Sequence, residues 1–154
     1  MTELIVREAI ISDNVARQSI IDATTRELRK IYKPREKANQ CSPSPATTLV
    51  AVKQNTVMGT AEYVIKHDHI YLQGIAVHPD HRRQGICRCL VVATEALARK
   101  VKVDTLKLCV IQETGNIEIF KQLGFSIISH AISQGYVNPD GGVVTQVEME
   151  RKIL

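Results

Sequence analysis

The chain has 154 residues, of which 44% are hydrophobic and 23% charged, with a formal net charge of +4. A chain of this length buries roughly two-thirds of its unfolded surface without disulfide or metal staples, so residues 1–154 are expected to form one domain. The balance excludes the disordered and membrane-spanning classes. With 4% aromatic residues and no tryptophan, an extended stacking platform for single-stranded nucleic acid is not expected either.

Leu4 to Ile11 is short and apolar, with Val6 and Ile10 on one face, and predicts a first strand. Ser12 and Asp13 offer helix N-caps, and Val15, Ile20, Ile21 and Leu28 trace a helical face ending near Ile31. The run from Tyr32 to Thr47 contains three prolines and little periodicity, which predicts a loop with one helical turn around Arg35 to Ala38. Thr48–Val52, Thr56–Lys66 and His69–Val77 are rich in β-branched residues and separated by polar breaks, so they predict an antiparallel meander. The period then changes: Ile86, Leu90, Ala93, Leu97 and Val101 recur at helical spacing.

Thr105 opens another strand, "TLKLCVI", and "NIEIFKQL" predicts a short helix closed by Gly124. Phe125–Ala131 and Val143–Met149 predict two last strands joined through the turn "NPDGG". The expected fold is therefore α+β: a mixed, mostly antiparallel sheet of six to seven strands flanked by helices. The connection from the strand ending at Val77 to the one starting at Thr105 is a parallel, right-handed crossover.

The four cysteines show no CxxC spacing, and the interrupted apolar residues of "MTELIVREAI" form no signal-peptide core. Free thiols in a reducing cytoplasm are the expectation. His67 with His69, and His78 with His81, lack the acidic partners of a metal shell, so no metal site is expected.

Chemistry concentrates where Val77 hands over to the main helix. A helix amino terminus leaves backbone N–H groups unpaired and carries roughly half a positive charge. Here Arg82, Arg83, Gln84, Gly85, Ile86 and Cys87 make that turn. Gly85 lets an anion approach the backbone, and the guanidinium groups add charge-assisted contacts. The expected ligand is a pyrophosphate or phosphate ester. Neither GxGxxG nor GxxxxGK[ST] occurs, which removes the main support for dinucleotide and P-loop sites.

The segment "IAVHPDHRRQGICRCLV" resembles the acyl-coenzyme A-binding segment of the GNAT superfamily of N-acetyltransferases, whose pattern [RQ]xxGx[GA] stands here as Arg82, Gly85 and Cys87. "GNIEIFKQLGF" is similar to the same family's second signature. The resemblance implies a GNAT-like acyl-CoA N-acyltransferase fold with acetyl-CoA as co-substrate. It implies that backbone groups of Ile75, Ala76 and Val77 pair with the pantetheine arm as an added strand does. Amides from Arg83 to Cys87 hold the pyrophosphate, with Arg82 or Arg83 reaching a phosphate. Asn116 either binds the pantetheine or caps its helix.

Three features depart from the family pattern, one being a gap from Asn116 to the aromatic that is shorter than in the commonest members. Cys87 replaces a Gly or Ala, and Phe120 stands where many members have a tyrosine thought to protonate the leaving thiolate. Phenylalanine donates no proton, so that step is expected to fall to solvent. Gln73 and Gly74 lack the strand carboxylate of some members, which leaves Glu62 and Tyr71 on neighbouring strands as candidates for the base, acting directly or through water. Each also has a structural reading, Glu62 as an exposed strand residue and Tyr71 as a core or rim aromatic. Tyr136 borders the acceptor cleft or is structural, and Cys109 reads as a buried small residue rather than an acylated nucleophile.

The leading functional reading is an acetyl-CoA-dependent N-acetyltransferase that moves an acetyl group to a primary amine of a small molecule or peptide in a ternary complex. The alternative is a non-catalytic acyl-CoA-binding sensor or regulatory domain. A nucleic-acid module using Arg82 and Arg83 ranks last because the cations cluster only locally. No membrane partner is expected, and edge strands permit a homodimer.

Overall fold

The computed structural model describes residues 3–35 and 45–153. Its elements in chain order are β1 (Ile5–Glu8), α1 (Asn14–Leu28), β2 (Lys33–Pro34), β3 (Thr47–Lys53), β4 (Thr56–Ile65), β5 (Ile70–Val77), α2 (Ile86–Val101), β6 (Thr105–Ile111), α3 (Ile117–Gln122), β7 (Ser126–Val137) and β8 (Val143–Lys152). The strands form one sheet in the order β1-β3-β4-β5-β6-β8-β7-β2. Only β5 and β6 pair in parallel, because the α2 crossover lies between them; every other neighbour is antiparallel.

The fold class is as expected, but the sheet has eight strands rather than six or seven. The additional strand is β2, inside the segment expected to be a loop. Lys33 and Pro34 pair with Val137 and Tyr136 at the sheet edge, where a residue without an N–H is tolerated. The expected helical turn from Arg35 to Ala38 lies mostly outside the described residues, as does Cys41. The first strand ends at Glu8, short of Ile11, because a one-turn helix covers Ile11–Asp13. Asp13 serves that turn rather than α1: its Oδ2 accepts from the Ile10 N–H at 2.7 Å.

Alternation along β4 assigns the two faces of the sheet. Ala61 and Tyr63 belong to the apolar cluster under α2, together with Ile86, Leu90, Val91, Ala98, Leu106 and Met149. Gly59 shares this face, and a β-carbon there would stand 2.7 Å from Cγ2 of Ile86, so its absence lets α2 lie close. Thr60 and Glu62 point to the other face, where α1 packs on β4 and β5. There Arg17 Nε donates to Thr60 Oγ1 at 3.1 Å, and the Thr60 hydroxyl donates to the Leu49 carbonyl at 2.8 Å. Beyond α1 this face stays open over β6 and β8. Cys109 is accordingly exposed, a correction to the expectation of burial: it alternates with the core residues Leu108 and Val110 and turns the opposite way.

Among the described residues no helix is long and apolar enough to cross a membrane.

Candidate active site

Parallel pairing between β5 and β6 is limited to Ile70 with Leu106 and Tyr71 with Lys107. Beyond Tyr71, β5 continues to Val77 and β6 to Ile111 without further pairs. A cleft of about 620 Å³ opens in that fork. Ile75, Ala76 and Val77 line one wall, Asn116, Ile119 and Phe120 the other, and the start of α2 closes one end.

Two features prepare the β5 wall. Thr60 pairs with Ala76 and Glu62 with Gln73, so Gly74 and Ile75 together face Ala61 in a β-bulge, and Gly74 takes φ +60° as such a bulge requires. The His78 N–H donates to the Met58 carbonyl at 2.9 Å. Since alternate residues of a strand direct their amides to the same neighbour, the N–H groups of Val77 and Ile75 point away from β4 and into the fork.

The α2 end is built for an anion. Arg83 has φ +63° and Gly85 φ +78°, turns that aim successive amides into one concavity. No side chain caps the helix at Gly85. A β-carbon on Gly85 would meet nothing within 4 Å; the left-handed backbone is what calls for glycine. The Cys87 side chain is mostly buried beside this turn, and that burial pushes its thiol up to about 11, so it packs as a neutral group.

Arg82 and Arg83 differ in their surroundings. Arg82 Nη1 lies 2.8 Å from Glu27 Oε2, tying the end of α1 to the turn. Among the described residues Arg83 has no ion-pair partner. Asn116 occupies the position before α3, but its side chain makes no capping bond; Thr114 Oγ1 accepts from its N–H instead, at 3.2 Å. Phe120 stacks edge-on against Phe125, with ring centroids 5.9 Å apart, which fixes it as an apolar wall of the cleft.

Glu62 and Tyr71 both stand on the α1 face. The Glu62 side chain reaches across to β5, where a β-carbon on Gly74 would come within 3.2 Å of its Oε1. Tyr71 sits at the apex of the fork, opposite Lys107. Burial first, and then a hydrogen bond to the Cys109 sulfur, raise its hydroxyl well above the ordinary tyrosine range, so it keeps its proton at neutral pH. Sequence reasoning missed Glu148 and the Glu27–Arg82 tie. Glu148 became visible only through its register opposite Cys109, and no local pattern in the chain signals a contact between residues 27 and 82.

Residues 17–125 match the Acetyltransferase (GNAT) family. The chain belongs to that family. No curated protein sequence is significantly similar to it. Solved structures share its fold at low identity. The ribosomal-protein-S18-alanine N-acetyltransferase from Escherichia coli is 20% identical, with a TM-score of 0.72 over 98% of this chain and 94% of that one. A GCN5-related N-acetyltransferase from Kribbella flavida is 20% identical, with a TM-score of 0.72 over 97% and 98% of the two chains. An aminoglycoside 6'-N-acetyltransferase complexed with coenzyme A is 15% identical, with a TM-score of 0.71 over 97% of each chain. The eight-stranded mixed sheet with flanking helices is thus the GNAT fold.

Proposed function

We propose that this GNAT acetyltransferase moves the acetyl group of acetyl-CoA to a primary amine of a small molecule or peptide by direct attack in a ternary complex. The observation that carries the reading is one cleft that runs from the uncapped start of α2 along Val77, Ala76 and Ile75, with the Gly74 bulge next in β5 and the Glu62 carboxylate beside it on β4. The solved neighbours named above are N-acetyltransferases, and one is complexed with coenzyme A.

In this reading the amides from Arg83 to Cys87 hold the diphosphate, helped by the helix dipole and by the Arg83 guanidinium. Ile75 and Val77 donate to the pantetheine arm as the edge of an added strand, and Asn116 and Phe120 shape the opposite wall. The thioester carbonyl then lies beside the bulge, where a β5 amide stabilises the oxyanion. The amine nitrogen bonds to the carbonyl carbon, the carbon–sulfur bond breaks, and Glu62 takes the ammonium proton directly or through water. The departing thiolate takes its proton from solvent, since Phe120 has none to give. Holding both reactants together supplies several kcal/mol of the barrier reduction.

Release of free thiol from acetyl-CoA with a panel of primary amines tests the reaction. Amine-dependent release establishes it. Acetyl-CoA binding without release for any amine favours the second reading, a non-catalytic acyl-CoA sensor, which Phe120 supports. No binding at all removes both.

A further inference from the structure

On the open face of the sheet a row of side chains crosses four strands. Tyr71 on β5 lies near Cys109 on β6, Cys109 is in register with Glu148 on β8, and Glu148 with Ser129 on β7. Gln73 on β5 and Glu62 on β4 are themselves a register pair, which places Glu62 on the same face. Tyr136 joins the row after a register irregularity in β7, and is held edge-on against Tyr32 with centroids 5.1 Å apart. Tyr71 neighbours both Glu148 and Tyr136, Tyr32 packs on Tyr136, and the fourth tyrosine, Tyr63, lies in the core.

The carboxylate of Glu148 is poorly satisfied. Lys107 Nζ stands 3.9 Å away and Ser129 Oγ 3.4 Å away. The well-made pairs of this protein are far closer: Arg7–Asp13 and Arg82–Glu27 at 2.8 Å, and Arg99–Glu95 at 2.6 Å. A partly exposed carboxylate without a close donor, with Tyr71 beside it and Tyr136 beside Tyr71, suits an organic ammonium ion, which gains from both the charge and a ring quadrupole. Arg29 already stacks over the Tyr32 ring, 5.4 Å from its centroid, so these rings accept cations in this protein.

We propose that Glu148, Tyr71 and Tyr136 form a cation subsite separate from the transfer centre at Glu62, and that the acceptor is an amine carrying a second ammonium group. This deepens the acetyltransferase reading and rests on it. Glu62 and Glu148 stand on strands three positions apart, which sets a lower bound of roughly 14 Å between backbones; the β5–β6 fork adds to it, and the side chains shorten the gap. One end of a linear diamine then reaches the bulge while the other remains charged at Glu148.

The test compares putrescine, cadaverine and hexamethylenediamine, each with the monoamine of equal length, as acceptors and as calorimetric ligands of the CoA-bound protein. The expected result is about tenfold higher kcat/KM for the longer diamines than for their monoamines, carried by KM. Glu148→Gln and Tyr136→Leu bring the ratio toward one, and Glu148→Asp restores part of it. Coenzyme A affinity of each variant reports that it is folded. Thiol release with a diamine-to-monoamine ratio that Glu148→Gln leaves unchanged overturns the subsite while the transfer reaction stands. Glu148-dependent diamine binding without thiol release supports the subsite and overturns the reaction. Diamine binding no tighter than monoamine binding overturns the subsite in either case.

Discussion

The carboxylate of Glu62 lies against the α-carbon of Gly74, across the β4–β5 ladder, in space that a side chain at position 74 would occupy. In the proposed reaction the base comes from β4 rather than from β5 itself, and the bulge glycine leaves room for its carboxylate. Glu62→Gln is therefore expected to lower kcat by about a hundredfold, with acetyl-CoA affinity unchanged. Stopped-assay kinetics and calorimetry check both halves.

Gly74→Ala combines two strains, a φ of +60° and contact with Glu62. Forcing that conformation on a residue with a β-carbon costs about 1–2 kcal/mol, read as a lower denaturation midpoint. The Glu62 side chain must also turn away, so kcat falls further than the change in stability explains.

The turn before α2 separates two arginines of similar sequence context. Arg83→Ala is expected to weaken acetyl-CoA binding by about tenfold, because its guanidinium has no competing partner among the described residues. Arg82→Ala acts through Glu27: both side chains are near half exposed, so a double-mutant cycle gives a coupling of about 0.5 kcal/mol in stability. Gly85→Glu sets a carboxylate where the diphosphate belongs, on a left-handed backbone, and abolishes binding by calorimetry.

Asp13 makes a pH-dependent contribution to folding. Its hydrogen bond with Arg7, followed by the one from the Ile10 amide, holds its carboxyl below the ordinary range. A group whose folded value is depressed binds more protons in the unfolded chain, so its stabilisation is full above the ordinary carboxylate range, near pH 4, and is lost as pH falls through the depressed value. Asp13→Asn should lower the melting temperature at pH 7, and the difference from the parent should shrink steadily below pH 4.

Thiol labelling should follow the two strand and helix environments. Cys109 is exposed, whereas Cys87 is mostly buried and stays protonated, its thiol pushed up to about 11. Iodoacetamide at neutral pH, followed by peptide mapping, is expected to modify Cys109 before Cys87. Saturating coenzyme A should slow Cys87 further, since that residue lines the cleft.

Sequence legibility tracked how far local chemistry decided each element. The α2 stripe from Ile86 to Val101 and the run Thr105–Ile111 were readable to the residue, because burial under one face dictates both. β7 runs to Val137, six residues past the expected end; there an exposed Ile132 and a buried Ser133 invert the usual pattern, and pairing with β8 and β2 holds the strand instead. β2 was invisible because two residues, one a proline, have no pattern. The glycine-containing turn before α2 was legible as a motif. The row of Tyr71, Cys109 and Glu148 was not, since these residues come together only through strand register across long sequence separations.

The parallel seam between β5 and β6 consists of just two residue pairs, so the sheet is nearly two smaller sheets, with α2 riveting them on one side. Coenzyme A lying along that seam would act as a splint. Amide hydrogens of Ile75 and Val77 should then exchange freely in the empty protein and slow sharply on ligation, and mechanical or thermal rupture of the empty form should begin there, parting β1, β3, β4 and β5 from β6, β8, β7 and β2.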